Sequence, residues 1–302
     1  MLFAFLTTIL WSFSAIFARR LVEALGSTLA NFARLLLATV LLGAWAFGAG
    51  AGIDGAGFHW YLLSGIVGFG LGDITLYFAL ARIGSRLTIL LTQCLAAPFA
   101  ILIEWLWLGT TLSAPQLLLA GGVLAGVSVA LLPRDNPHLP RATLWSGVAF
   151  GTLAALGQGL GAVISRRAFE LSLASGVRID GGTAAFQRIL GGLACGAIAW
   201  WLLRVRADER RWPTLAAALP ERRFQLTLLA AALCGPVLGV GCYQWALATA
   251  PSGLVLPIVA LCPIAIIPFS WWLEGDRPKS RSIIGGAVAV ACAIALARLR
   301  TG

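Results

Sequence analysis

Apolar runs of about twenty residues, separated by short segments carrying arginine, glycine and proline, occupy almost the whole sequence. An α-helix of this length spans the hydrocarbon core of a bilayer. Only 11% of the residues are charged and 59% are hydrophobic, so the chain has more apolar surface than a soluble core of 302 residues can bury. Because a backbone in lipid must satisfy its own hydrogen bonds, the runs predict an all-α integral membrane protein.

About ten transmembrane helices are predicted, five on each side of a polar segment. The segment 133–142 contains three prolines and four ionisable groups, so we expect a solvated linker there. It divides the chain into a first five-helix unit, residues 1–132, and a second five-helix unit, residues 143–302. The predicted helices are residues 2–18, 29–49, 60–80, 88–108, 112–132, 143–164, 182–203, 224–249, 252–273 and 282–298.

The two units also repeat each other in sequence. Ala15–Arg20 (AIFARR) recurs as Ala162–Arg167 (AVISRR), and Phe32–Leu35 (FARL) recurs as Phe186–Ile189 (FQRI). Later glycines, alanines and prolines keep a nearly constant offset between the units, which indicates a duplication. Because five is an odd number, the second unit crosses the membrane in the opposite direction, and the two form inverted repeats about an axis in the membrane plane. That architecture is typical of alternating access.

Several motifs spread over nearly the whole chain resemble one known family. In the first unit they are the tryptophan of the first helix, Arg34, Tyr77–Ser85, the run PFAILIEWLWLG at Pro98–Gly109, and the glycines Gly121 and Gly122. In the second unit, Pro263–Pro278 (PIAIIPFSWWLEGDRP) ends with Asp276 after Gly275, whereas the first unit has Thr110 at the matching place. The pattern resembles the EamA-type domain of the drug/metabolite transporter superfamily.

This resemblance implies a secondary transporter, one that uses no ATP and exports small metabolites such as amino acids or drugs. It also implies a multi-pass protein of the inner (plasma) membrane whose partners are a small-molecule substrate and the lipid bilayer. The sequence has no HExxH, no CxxC and no glycine-rich phosphate loop followed by lysine, so we expect no cofactor and no bound metal. The alternative interpretation is a membrane scaffold or receptor that transports nothing.

Polar side chains inside the predicted helices are the candidates for contact with a substrate. Such groups are costly in lipid, and inverted repeats line a central site with equivalent positions of both units. Trp11 is equivalent to Gln158, and Tyr77 is equivalent to Gln244. The alternative for each residue is a hydrogen bond between helices or, for Tyr77, a place in the aromatic belt at the interface. The full set of candidates is Trp11, Ser14, Tyr77, Gln93, Gln158 and Gln244.

Three charged residues lie within predicted helices. Arg34 and Asp73 are at a similar depth from the same face, so we expect an ion pair between them, and the alternative is that Asp73 couples transport to protons. Arg188 is the repeat of Arg34, but its own unit has no acidic residue at a comparable depth. We expect Arg188 to extend to the membrane interface, or else to meet Glu104 across the symmetry axis.

Asp73 also completes the tetrapeptide GLGD at residues 70–73, which matches the GxGD signature of intramembrane aspartyl proteases. Aspartyl catalysis needs two carboxylates that share a proton at about 3 Å. Every other aspartate of the sequence lies in or beside a predicted loop. The sequence therefore predicts no enzymatic activity.

Most of the arginines behind the formal charge of +10 lie in the loops that follow the odd-numbered predicted helices. By the positive-inside rule these loops are cytoplasmic, and both termini are outside. Their dispersal over short loops excludes the continuous basic surface of a nucleic-acid-binding protein. The stretch Arg204–Arg223, which contains Trp212, predicts a short amphipathic helix on the lipid headgroups.

Glycine pairs with GxxxG spacing recur in five predicted helices: Gly68 and Gly72, Gly122 and Gly126, Gly157 and Gly161, Gly192 and Gly196, and Gly235 and Gly239. Lipid gives helices no hydrophobic reason to associate, so close contact depends on small residues that let backbones approach. We expect these glycines to pack helices within the chain, although the same spacing also suits a homodimer.

Overall fold

The computed structural model describes residues 1–131, 140–206, 220–265 and 280–299, and all regular secondary structure in them is helical. The α-helices are α1 (Leu2–Leu25), α2 (Ser27–Gly48), α3 (Phe58–Gly65), α4 (Asp73–Leu108), α5 (Ala114–Leu131), α6 (Arg141–Ala174), α7 (Gly181–Arg206), α8 (Arg222–Ala232), α9 (Leu238–Thr249), α10 (Ser252–Val259), α11 (Cys262–Ala265) and α12 (Ser280–Leu299). Most of the predicted linker 133–142 and the centre of the predicted surface helix 204–223 lie outside the described residues.

Six helical stretches among the described residues are long and apolar enough to cross a membrane, and three further apolar helices are shorter. This confirms a multi-pass helical membrane protein. α1 and α6 are longer than predicted because both continue through the paired arginines of the repeat, and arginine is a good helix former. α1 ends where Gly26 adopts a φ of 74°, a conformation that costs glycine little.

α4 is one continuous helical segment, although the sequence predicts that its residues belong to two helices, 60–80 and 88–108. It is not straight. Gly157 and Gly159 are close neighbours on α6, and they lie against Gly72 and Ala96 respectively. In a straight helix, residues as far apart in sequence as these two contacts would be separated by roughly 36 Å. α4 therefore doubles back, and its two arms lie against the same stretch of α6, as the two predicted helices would.

A π-helical segment interrupts each unit at an equivalent place. Ile66–Gly72 joins α3 to α4, and Leu233–Val237 joins α8 to α9. The second segment contains Pro236, which has no N–H to donate to a regular helical ladder. Short π-helical segments are frequent at functional sites because they widen the helix locally. Their recurrence at matching positions supports the duplication seen in the sequence.

Equivalent helices of the two units also pack against each other. On α5 and α12, Gly122 lies against Cys292 and Gly126 lies against Ala289, so residue numbers rise along one helix as they fall along the other. The contacts between α2 and α7 run in the same opposed order. Both pairs are therefore antiparallel, as two inverted repeats require.

Several glycines of the GxxxG pairs lie at contacts within the chain. A Cβ on Gly126 would be 2.6 Å from the carbonyl oxygen of Gly285, and a Cβ on Gly157 would be 2.9 Å from the Cα of Gly72. Gly239 approaches the indole of Trp11 just as closely. These contacts confirm the expected packing role. A homodimer stays a prediction.

The two ends of the bundle carry different connections between helices. The end that carries the turn at Gly26 and residues 220–221 is called the arginine face, because Arg20, Arg222 and Arg223 lie there. The end that carries the joins 49–57, 109–113 and 175–180 is called the opposite face.

Candidate functional site

Aromatic and charged side chains of both units meet in the middle of the bundle. We call this group the central layer, and its members are Trp11, Arg34, Phe69, Asp73, Arg188 and Tyr243. They come from α1, α2, the first π-helical segment, α4, α7 and α9. The layer thus joins the first unit to the second at the depth where transporters with inverted repeats bind their substrates.

Arg188 is the most buried charge of the central layer, with 5% of its surface exposed. Its guanidinium carbon lies 5.2 Å from the ring centroid of Phe69 and 5.8 Å from that of Tyr243. One terminal nitrogen occupies the space next to Gly68 and Gly161, which have no side chains to block it. Within the described residues, no carboxylate lies at ion-pair distance from Arg188, and its buried Nε has no hydrogen-bond partner.

Both expectations for Arg188 are wrong. The side chain does not extend to the interface, because the two glycines leave room for it at mid-depth and the two aromatic rings attract the cation through their faces. It does not meet Glu104 either, because Glu104 pairs with Arg166 at an N–O distance of 2.6 Å.

The predicted ion pair between Arg34 and Asp73 is confirmed. Nη2 of Arg34 lies 3.6 Å from a carboxylate oxygen of Asp73 and donates a hydrogen bond of 2.8 Å to Oδ1 of Asn31. Asp73 also lies within electrostatic reach of Arg188. The central layer therefore contains two positive charges and one negative charge, and the described residues add no second carboxylate to it.

Trp11 and Tyr243 form the aromatic contact between the units, with ring centroids 5.3 Å apart and planes tilted by 43°. The indole of Trp11 fits against Gly239, where a Cβ would lie 2.6 Å from its nitrogen. One turn away, the hydroxyl of Ser14 lies against Gly235, close to Arg34. Two sequence-predicted candidates, Trp11 and Ser14, are therefore in or beside the central layer.

The glutamine candidates occupy two places. Nε2 of Gln158 donates to Oε1 of Gln93 at 3.4 Å, and the backbone of Gln158 lies beside Gly72, one residue before Asp73. Gln244 follows Tyr243 on α9 and is fully buried, and neither atom of its amide has a partner among the described residues. Burying an amide without a partner costs free energy, which suits a group that waits for a ligand. Tyr77 lies on α4, but its side chain is outside the described part.

A second group of charges closes the opposite face. Glu104 of the first unit forms an ion pair with Arg166 of the second, and it accepts hydrogen bonds from the backbone N–H (2.8 Å) and the hydroxyl of Ser252 at the start of α10. Arg166 in turn donates to the carbonyl oxygens of Leu247 and Ala250, at the end of α9. We call Glu104, Arg166 and Ser252 the Glu104 cluster. It ties α4 of one unit to three helices of the other.

Further hydrogen bonds join the units on the opposite face. Nε1 of Trp45 donates to Asp180 at 2.8 Å, and the amide of Gln187 donates to the backbone oxygens of Gly52 and Asp54. Burial raises the pKa of Asp180, but the hydrogen bonds from Thr183, Trp45 and the backbone outweigh it, so the pKa lies below its usual value. Asp180 is therefore ionised when it holds this contact.

The arginine face contains open space instead. A cavity of about 600 Å³ lies between α1 and α8 and is lined by Phe17, Arg20, Arg223, Leu226, Thr227 and Ala230. A packing gap too small to admit water lies between α1 and α2, and its lining includes Leu21, Asn31 and Arg34. The cavity between α1 and α8 thus lies toward the arginine face, at the other end of the bundle from the Glu104 cluster.

Sequence reasoning missed the partners of the buried charges. Tyr243 and Phe69 look like ordinary membrane aromatics, and Arg166 looks like a topology signal at a helix end. One signal was available for Arg166, since the motif AIFARR of the first unit recurs in the second as AVISRR, which contains Arg166. No signal in the sequence pairs Glu104 with Arg166, because the contact arises only when the units pack.

Comparison with known proteins agrees with the geometry. A solved structure described as "Crystal structure of protein" superposes on 99% of this chain and 96% of its own with a TM-score of 0.77, at 18% sequence identity, which shows a shared fold. None of the curated proteins matches the sequence. The EamA-like transporter family matches residues 1–132 and 145–298, one match for each unit. The chain therefore belongs to the EamA-like transporter family.

Proposed function

We propose that this protein is a secondary transporter that exports a small metabolite, such as an amino acid or a drug, across the inner (plasma) membrane by alternating access. About ten spans, arranged as two inverted five-helix units, would form the moving parts. The substrate would bind in the central layer, with Gln158, Gln244 and Trp11 among its contacts. No ATP, metal or catalytic group takes part, so a solute or ion gradient drives the movement.

One observation carries this proposal: polar groups of both units lie unsatisfied between them at mid-depth. In the second unit, the amide of Gln244, Nε of Arg188 and the hydroxyl of Tyr243 are buried without a hydrogen-bond partner among the described residues. In the first unit, the same holds for Nε of Arg34. Polar groups at this depth are expensive in a bundle that serves only as a scaffold. A substrate that passes between the units would satisfy them.

The unequal ends of the bundle support the same proposal. The Glu104 cluster and the bond between Trp45 and Asp180 hold the units together on the opposite face, whereas the cavity between α1 and α8 lies toward the arginine face. Alternating access requires one end to be closed while the other is open. Rocking of one unit against the other would break the first set of bonds and close the cavity between α1 and α8.

The test is ligand-dependent thermal stability of the purified protein in lipid nanodiscs. A panel of amino acids, nucleotide sugars, polyamines and cationic drugs would be screened, because a ligand that binds only the folded state raises the melting temperature. We expect at least one class to raise it, and we expect Gln244→Ala and Gln158→Ala to abolish the shift. Thr249→Ala is the matched control, since that hydroxyl bonds only to carbonyl oxygens of its own helix.

Flux into proteoliposomes then separates transport from binding. The solute that stabilises the protein should cross the membrane in the presence of the wild-type chain and not in the presence of Gln244→Ala. A panel without any stabilising solute, together with no flux, would support a scaffold or receptor instead.

A further inference from the structure

The guanidinium of Arg188 is a group that can bind an anion, and none of the described residues supplies one. Its carbon lies 5.2 Å and 5.8 Å from the ring centroids of Phe69 and Tyr243, and Nη2 is accommodated beside Gly68 and Gly161, which have no side chains. The five N–H groups of an arginine point outward in one plane in a fixed fork. Attraction to the ring faces stabilises the charge but does not satisfy an N–H group, and Nε of Arg188 has no acceptor among the described residues.

The charge of the central layer specifies what such an acceptor must be. Arg34 already has Asp73 as its partner, whereas Arg188 has no carboxylate of its own in the described residues. The layer therefore keeps one positive charge in excess at mid-depth in the membrane, where an uncompensated charge is costly. An anion would remove the excess, and a cation would be repelled by both guanidinium groups.

The charged side chains that line the approach from the arginine face are positive, like the central layer. Arg20 and Arg223 line the cavity between α1 and α8, and Arg34 lines the packing gap between α1 and α2. A path lined by one sign of charge concentrates solutes of the opposite sign and speeds their entry. Two arginines at the arginine face and Arg34 in the central layer thus carry the same sign of charge as Arg188.

We propose that Arg188 binds the oxyanion of the substrate, so that the cargo is a small organic anion with a carboxylate or phosphate group. The fork of Arg188 would take two oxygens of that group, as guanidinium groups do with carboxylates and phosphates. The rings of Tyr243 and Trp11 lie beside it and would cover the organic part of the molecule. This inference rests on the proposed transport function and names its substrate class.

Uptake of matched solute pairs into proteoliposomes tests the proposal. Labelled glutamate is compared with glutamine, and glucose 6-phosphate with glucose, so that the two pairs also distinguish a carboxylate from a phosphate. We expect the anion of at least one pair to enter about tenfold faster than its neutral partner, the effect of one charged hydrogen bond. Arg188→Gln should remove that advantage, and Arg188→Lys should retain part of it.

Arg82→Gln is the matched control. Arg82 is also an arginine on an aromatic ring, 4.6 Å from the centroid of Phe150, but it lies at the arginine face and donates to the carbonyl oxygen of Phe78. This variant should keep the preference for the anion. A preference that both variants lose equally would reflect general surface charge and would overturn the role of Arg188.

Thermal stability without any solute gives an independent readout. Because a buried charge without a partner destabilises the empty protein, Arg188→Gln should melt at a higher temperature than the wild type. A lower melting temperature, with anion uptake unchanged, would make Arg188 a structural residue and overturn the proposal. Uptake of the neutral partners at equal rates would also overturn it while leaving the transport function intact. If no solute of this panel or of the wider panel entered the proteoliposomes, both this inference and the proposed transport function would be overturned.

Discussion

Each buried arginine of this protein is stabilised in a different way, although Arg34 and Arg188 occupy equivalent places in the repeat. Arg34 has a carboxylate and an amide oxygen as partners, whereas Arg188 has two aromatic rings. Arg166 has a carboxylate and two backbone carbonyl oxygens. The duplication therefore preserved the residue type but not its chemistry, and the difference makes the central layer positively charged.

The first prediction concerns the ion pair of Arg34 and Asp73. Asp73→Asn should lower the free energy of unfolding by about 1–3 kcal/mol, because it leaves a partly buried guanidinium without its carboxylate. The double variant Arg34→Gln/Asp73→Asn should recover much of that loss, since no charge is then left unpaired. Melting of the three proteins in nanodiscs measures both effects.

The same variant decides the alternative role of Asp73. If the carboxylate only holds Arg34, transport by Asp73→Asn keeps the pH dependence of the wild type. A flat pH profile in this variant would instead identify Asp73 as a proton-coupling group.

The second prediction concerns Asp180 on the opposite face. Its pKa is lowered in the folded protein, so the contact contributes stability above the unfolded value of about 3.9 and loses it as the pH falls through the folded value. The melting temperature should therefore drop in acid more steeply for the wild type than for Asp180→Asn. Equal acid sensitivity of the two proteins would contradict this assignment.

At the scale of elements, glycine decides how closely the helices approach. α5 and α12 cross with their backbones in contact at Gly126 and Gly285, where a Cβ on either glycine would lie 2.6 Å from the carbonyl oxygen of the other. Gly121 lies on the same helix, yet a Cβ there would meet nothing within 4 Å. The GxxxG spacing agrees with this difference, because it includes Gly126 and not Gly121.

The third prediction uses that difference. Gly126→Ala should destabilise the protein by about 1–3 kcal/mol, because the added methyl group forces two backbones apart. Gly121→Ala should be neutral or stabilise α5, since alanine favours a helix over glycine by about 1 kcal/mol. Thermal melting of the two variants under one condition makes the comparison. Equal effects would show that α5 and α12 do not cross at Gly126.

At the scale of the whole molecule, the two units are held together unevenly. The ion pair and hydrogen bonds of the Glu104 cluster and of Asp180 join the units on the opposite face, whereas the cavity between α1 and α8 lies toward the arginine face. The Glu104 cluster also caps two helix ends, because the carboxylate faces the start of α10 and the guanidinium faces the end of α9. Its loss should therefore affect the closure of this end of the bundle.

The fourth prediction tests that closure. In a variant that lacks the native cysteines, Leu254→Cys reports on the opposite face, where Leu254 is 2% exposed, and Thr227→Cys reports on the cavity of the arginine face. Glu104→Gln should raise labelling of Cys at 254 by a membrane-impermeant maleimide and lower labelling at 227. Glu170→Gln is the control, because its pair with Arg167 is exposed. Unchanged labelling in Glu104→Gln would exclude a closing role for the Glu104 cluster.

Most of the architecture was predictable because the bilayer restricts the options. Apolar runs of spanning length must be helices, and an odd number of helices per repeat requires inversion. The pair of Arg34 and Asp73 was predictable for the same reason, since depth in the membrane follows from position along a helix. The sequence predicted the reversal between residues 80 and 88 as a break between two helices. It did not predict that the chain stays helical through the reversal, as α4 does.

The sequence by itself determined that the chain is a helical membrane protein, that it is duplicated, and that its second half is inverted. Those properties follow from hydropathy, from helix length and from the odd number of helices in each unit. Each can be obtained from the sequence without knowing which helices contact each other. Only the tertiary structure decided that Arg188 lies between Phe69 and Tyr243 and that Glu104 pairs with Arg166. Such partners lie far apart in the chain, and the contact depends on which helix faces meet and on glycines that let them approach.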